Sequence, residues 1–266
     1  MGEAIVVSSG KGGVGKTTSS VNIGTALALS GKRVCLVDGD IGLRNLDVMM
    51  GLENRIIYDL VDAVEGECRL QQALIKDKRF DHLFLLPAKQ TKDKNAITPE
   101  QMEALIMELK QDFDYIIIDC PAGIEQGFKN AVIGADHAIV VTVPEPTAVR
   151  DADRVIGLLE KEKTSPPKLI INRIRYGAMK QGDMLDVDDV IQQLGIEILG
   201  IVPDDPGVIK ASKEGEAIVM NHESRAGLAY RNIGRRILGD QVALLRLEEP
   251  NQGGFFRKVK SLFGIK

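Results

Sequence analysis

Short runs of consecutive apolar residues, rich in Val and Ile, recur along the chain and alternate with stretches whose apolar positions repeat at helical spacing. The runs are AIVVSS (4–9), RVCLVD (33–38), HLFLLP (82–87), DYIIID (114–119), HAIVVTV (137–143), KLIIN (168–172) and ILGIV (198–202). They are unbroken rather than alternating, which is the pattern of strands buried on both faces of a parallel sheet. The intervening segments predict helices at 16–30, 99–111, 125–134, 147–162, 186–194, 205–214 and 224–239. Strand–helix alternation implies right-handed crossovers and a doubly wound, mostly parallel α/β fold. KTSPPK (163–168) reads as a turn between a helix and a strand. The one break lies near EEPNQGG (248–254), which separates a body, 1–248, from a short tail, 249–266.

Composition narrows the classes. A chain of 266 residues with 44% hydrophobic content is long enough for one large α/β domain. A net charge of −4 gives no global basic field for nucleic acid, so none is expected as a partner. Cys35, Cys68 and Cys120 are far apart and form no CxxC pair, which argues against a disulfide framework or a zinc site and for a reducing compartment. No apolar run is long enough to span a bilayer. The chain enters its first strand with no basic leader, and Val6 stands where N-acylation after Gly2 needs Ser or Thr. A cytoplasmic location is expected.

GKGGVGKT (10–17) fits the G-x-x-x-x-G-K-[ST] phosphate loop, between a predicted strand and a predicted helix. Backbone N–H groups of Gly12, Gly13, Val14 and Gly15, followed by Lys16, Thr17 and Thr18 at the helix N-terminus, make an anion cradle. Lys16 is expected on the β- and γ-phosphates of a nucleotide and Thr17 on Mg²⁺. Asp119, closing an apolar strand in YIIIDCPAG, is a candidate for the metal's shell. DGDIGLRNLD (38–47) adds Asp40, a candidate to orient the attacking water, and Asp38, expected behind the metal.

The loop carries a second lysine, Lys11, directly after its first glycine. In this it resembles the deviant Walker A ATPases, which include ParA-type partition proteins, the nitrogenase iron protein, the arsenite/tail-anchored-protein ATPases and the MinD family. DIGLRNLD (40–47), ALIKDKR (73–79), DCPAGIE (119–125), VRDADR (149–154) and QGDML (181–185) are similar to the MinD family of cell-division-site ATPases, from residue 4 to the tail. The resemblance implies that Lys11 acts in trans: two protomers sandwich their nucleotides, and Lys11 of one reaches the phosphates of the other. The logic is that of an arginine finger supplied by a partner. It also implies that Asn172 hydrogen-bonds adenine, that Arg173 flanks the ring, and that Pro203 and Asp205 complete the pocket. The implied activity is a slow, partner-stimulated hydrolysis of ATP. The implied partners are a division inhibitor, MinC, and a topological factor such as MinE. Their contacts are expected at Arg150, Asp151 and Asp153, where Asp151 is also placed to favour a helix N-terminus.

GGFFRKVKSLFGIK (253–266) is the other informative stretch. On a helix Phe255, Phe256, Val259, Leu262 and Phe263 form one apolar stripe, and Arg257, Lys258, Lys260 and Lys266 supply a cationic side without any acid. A short, basic, Phe-rich amphipathic helix reads as an anchor for an anionic membrane surface; the resemblance implies that this is the cytoplasmic face of the inner membrane. Fully burying a large apolar side chain is worth roughly 1.5–3 kcal/mol, and an interfacial helix buries its stripe only partly, so one copy binds weakly. A dimer presents two copies. The competing readings are a DNA partition ATPase, an electron-transfer protein with a bridging cluster and a nucleotide kinase. The absence of a basic field, the spacing of the cysteines and the otherwise unexplained Lys11 weigh against them in turn. Arg231, Arg235 and Arg236 are read as a solvated helix face.

Overall fold

β1 (Glu3–Ser8) is the hub of the sheet, pairing in parallel with β5 (Tyr115–Asp119) on one side and β6 (His137–Thr142) on the other. The computed structural model describes residues 1–90, 96–124, 126–162 and 164–247. Among them β2 (Val34–Asp38), β3 (Ile75–Lys76), β4 (Leu83–Leu86), β7 (Lys168–Ile174) and β8 (Glu197–Pro203) complete an eight-stranded sheet ordered β3-β4-β2-β5-β1-β6-β7-β8. Every pairing is parallel except β3 with β4. The tail, including Phe255, Phe256, Val259, Leu262 and Phe263, and the boundary at 248 lie outside the described residues.

Successive residues of each strand serve opposite faces, as the pleat requires. Ala4 and Val6 join the core formed with α5 (Pro99–Asp112), α6 (Gln126–Ile133), α7 (Pro146–Leu159) and α9 (Val187–Leu194). Ile5 and Val7 join the core formed with α1 (Lys16–Leu29) and α11 (Arg225–Ile237). α1 is buried almost all round because it lies between the sheet and α11. α5 begins with a full capping box: Thr98 accepts from Gln101 N, Gln101 answers to Thr98 N, and Pro99 opens the helix.

The predicted strands are all present. What the hydrophobic pattern does not reveal is short: two-residue β3, the small helices α2 (Leu46–Met49), α3 (Leu60–Val64) and α4 (Leu70–Ala73), and α8 (Tyr176–Gln181). Elements this short end before a hydrophobic period can repeat. α10 (Pro206–Lys213) lies one residue inside its predicted range at each end. Of the three arginines read as a solvated face, Arg235 is exposed as expected, whereas Arg231 and Arg236 are half-buried and bound to carbonyls. Arg231 donates to the carbonyls of Val219 and Asn221, and Arg235 pairs with Asp240 at 2.9 Å. Arg236 donates to the carbonyls of Leu199, Val242 and Ala243. It thereby straps the chain beyond α11 to edge strand β8, where Leu245 and Leu247 pack on the core. Guanidinium forks match carbonyl clusters that helical periodicity alone cannot show.

Candidate nucleotide-binding site

β1, β5 and β2 end side by side, and the loop after β1 wraps into the N-terminus of α1. Gly15 caps α1 at φ +95°, a left-handed conformation costly for any side chain. Space forbids one as well: a Cβ there would lie 2.2 Å from Asn172 Nδ2. Asn172 donates that amide to Val14 O at 2.8 Å and accepts from Arg173 N at 2.9 Å. Ser19 Oγ donates to Gly15 O at 2.9 Å and contacts buried Tyr230 Oη at 3.1 Å. Burial pushes the Tyr230 phenol up to about 12, so it stays neutral. The cradle is thus braced from behind by β7 and α11.

Inside it, Asp119 gathers three partners. Its Oδ2 accepts from Thr17 Oγ1 at 2.7 Å, and its Oδ1 accepts from Ser20 Oγ at 2.7 Å. Lys16 Nζ lies 3.0 Å from Oδ1, a pair whose side chains are 9% and 1% exposed. Ser20, one turn after Lys16, is a member that motif reasoning missed, although its spacing could have revealed it. The Thr17 hydroxyl and the Asp119 carboxylate are hard oxygen donors beside a phosphate cradle, a set that fits Mg²⁺. Thr17, Thr18, Lys16, Asp40 and Asn45 line a cleft of about 300 Å³.

Asp38, expected behind the metal, has both oxygens engaged by the loop that follows it. Oδ1 accepts from Asp40 N at 3.0 Å; Oδ2 accepts from Asn45 N at 3.0 Å and Leu46 N at 3.2 Å. It therefore fixes the loop carrying Asp40 and the start of α2. Burial, and then the charge of Asp119, push its carboxyl up to about 7.

A second cleft, of about 450 Å³, opens on the other side of the loop. Asn172, Arg173, Pro203, Asp205, Val208 and Tyr230 line it, so the residues expected around adenine converge. Its volume suits a nucleoside. Asn172 does not end β7: the strand continues through a bulge to Ile174, with Arg173 at φ +55°. Asp205 caps α10 through Gly207 N and accepts from Ser224 Oγ at 2.6 Å.

Lys11 lies apart from Lys16. Its side chain is 44% exposed, and Nζ stands 3.5 Å from both Glu145 Oε2 and Thr147 Oγ1. Glu145, which no motif marked, is the residue before α7. Asp151 does not cap that helix, which starts at Pro146; its carboxylate pairs with Arg154 at 3.6 Å. Arg150 and Asp153 are exposed on α7.

The chain is similar along most of its length to known proteins. A family model described as an AAA domain matches residues 2–171. Over 268 residues, covering 100% of both chains, the sequence is 66% identical to the septum site-determining protein MinD of Bacillus subtilis (strain 168). The fold is similar to MinD in the MinC:MinD cell division protein complex of Aquifex aeolicus, with a TM-score of 0.86 and 47% identity over 92% of this chain and 100% of that one. It is also similar to MinD complexed with Mg-ADP from Pyrococcus horikoshii OT3, with a TM-score of 0.81 and 28% identity over 89% of this chain and 96% of that one.

Proposed function

Because the chain belongs to the MinD family of septum site-determining ATPases, we propose that it hydrolyses ATP slowly and dimerises around that ATP, binding the membrane as a dimer. Lys16 and the backbone amides of Gly12, Gly13, Val14 and Gly15 hold the phosphates. Thr17 and Asp119 hold Mg²⁺, which supplies positive charge at the transferring phosphoryl group. Asp40, which lines the same cleft, orients the attacking water. Asn172, Arg173, Pro203 and Asp205 form the base pocket.

One observation carries the reading: the two lysines of one loop are separated in task. Lys16 is sealed on Asp119, while Lys11 is half-exposed at the rim on Glu145 and Thr147. A lysine in that place adds nothing to its own cradle and is available to a partner's triphosphate. The tail, with Phe255, Phe256, Val259, Leu262, Phe263, Arg257, Lys258 and Lys260, anchors the dimer weakly twice. Hydrolysis separates the protomers and releases both anchors. Exposed Arg150 and Asp153, with Asp151, offer a MinC- or MinE-type partner a charged helix face on the same rim.

The test is light scattering on an Asp40→Ala chain, which holds ATP without turning it over. A dimer with Mg-ATP and a monomer with Mg-ADP are expected, and Lys11→Ala added to Asp40→Ala should remain monomeric in both. Equal dimerisation with and without Lys11 overturns the reading.

A further inference from the structure

The segment ALIKDKR (73–79) has no part in the site as described, yet its last residue, Arg79, joins the two halves of that site. Arg79 turns back on buried Asp77, donating Nε to Oδ1 at 3.0 Å and Nη2 to Oδ2 at 2.6 Å. This bidentate pair fixes the plane of the guanidinium. The remaining donors reach two distant loops: Nη2 to Met50 O at 2.7 Å and Nη1 to Gly215 O at 2.6 Å. Met50 closes α2, and Gly215 follows the end of α10. The loops touch at glycines, both at positive φ, and a Cβ on Gly215 would lie 2.7 Å from Gly51 Cα.

Each loop leads to one cleft. α2 starts at Asn45 and Leu46, pinned by Asp38, and Asn45 and Asp40 line the phosphate side. α10 starts at Asp205, and Val208 and Ile209 line the base side. Resting on the nucleotide reading above, we propose that Arg79 is a positioning residue that couples occupation of the base pocket to the loop carrying Asp40. A base seated against α10 orders that helix. Arg79 transmits the order to the end of α2, and the loop bearing Asp40 tightens. A chain so built distinguishes a nucleotide from a bare polyphosphate before hydrolysis.

Hydrogen exchange on the full chain tests this with two probes, Mg-ADP and Mg-pyrophosphate, each at a concentration that saturates protection of 10–18. In the parent chain Mg-ADP is expected to slow exchange across 46–51 about tenfold more than Mg-pyrophosphate does. In Arg79→Gln and Arg79→Lys that base-dependent difference should vanish, while Mg-ADP still protects 10–18 and 206–213. Gly215→Ala, which forces the two loops apart, should do the same if the arginine variants fail to fold. A merely structural arginine would change exchange at 46–51 equally with either probe. Persistence of the difference in the variants, or its absence in the parent, overturns the coupling. Absence of any protection of 10–18 by Mg-ADP would instead strike at the nucleotide reading itself.

Discussion

Lys11 and Glu145 face each other at 3.5 Å across 134 residues of sequence, on the rim of the cleft that the base pocket shares. The pair holds the loop's outward lysine on its own chain. An exposed ion pair of this kind is worth at most about 1 kcal/mol. Two such pairs are released per dimer, so Glu145→Gln should favour the ATP-bound dimer by up to about thirtyfold, read as a lower dimerisation midpoint in light scattering. A weaker dimer would mean that Glu145 serves the dimer rather than competing with it.

Asp119 and Lys16 differ in how much each depends on the other. Without Asp119, Lys16 keeps, among the described residues, a 3.4 Å contact with Thr17 Oγ1. Without Lys16, Asp119 keeps two hydroxyl donors at 2.7 Å. Removing one partner of a buried pair costs about 3–5 kcal/mol when the other charge is left uncompensated. Asp119→Ala should approach that cost and Lys16→Ala should fall well short of it, measured as urea midpoints of the nucleotide-free chain. Equal losses would contradict the hydroxyl compensation.

Asp38 gives the ligand-free chain a pH dependence. Its carboxyl is raised to about 7 in the folded chain, against an ordinary value of 3.8. The folded chain thus binds the proton more tightly than the unfolded one. The stability from protonation is fully present below about pH 4 and is lost as pH rises to about 7. A fall of a few kcal/mol across that window is expected from this group. Urea midpoints from about pH 5 to about pH 8 should decline in the parent and stay flatter in Asp38→Asn; equal slopes in the two would refute the assignment.

Asn172 is a brace as well as a pocket residue. Asn172→Asp removes the donor to Val14 O and sets a carboxylate against that carbonyl. An unsatisfied buried group costs about 1–3 kcal/mol. Stability and affinity for Mg-ADP should fall together, by about tenfold or more in affinity, measured by thermal melting and calorimetry. A normal melt with lost affinity would confine Asn172 to the base.

Much of this was legible in the sequence for one physical reason. β1, β2 and β5 are buried on both faces, so their apolar runs have no polar interruptions, and GKGGVGKT stands where a strand meets a helix. Ser20 was readable too, one turn beyond Lys16. Glu145 and Arg79 were not. Their partners lie 134 and 136 residues away, and only the folded sheet brings them together. Arg236 misled for the same reason: its spacing on α11 says surface, but the chain doubles back and offers it carbonyls. Asp38, at a strand end beside Asp119, reads as lying behind the metal; its hydrogen bonds to the loop after it, which only the fold shows, add a second task.

By the function proposed above, Lys11 controls residence on a membrane by reaching a partner's ATP. Co-sedimentation with anionic liposomes tests it most directly, with Mg-ATP and Mg-ADP, for the full chain and for Lys11→Ala. The parent is expected to pellet with ATP and stay in solution with ADP, and the variant to stay in solution with both. A Lys11→Ala chain that pellets with ATP as fully as the parent would contradict it.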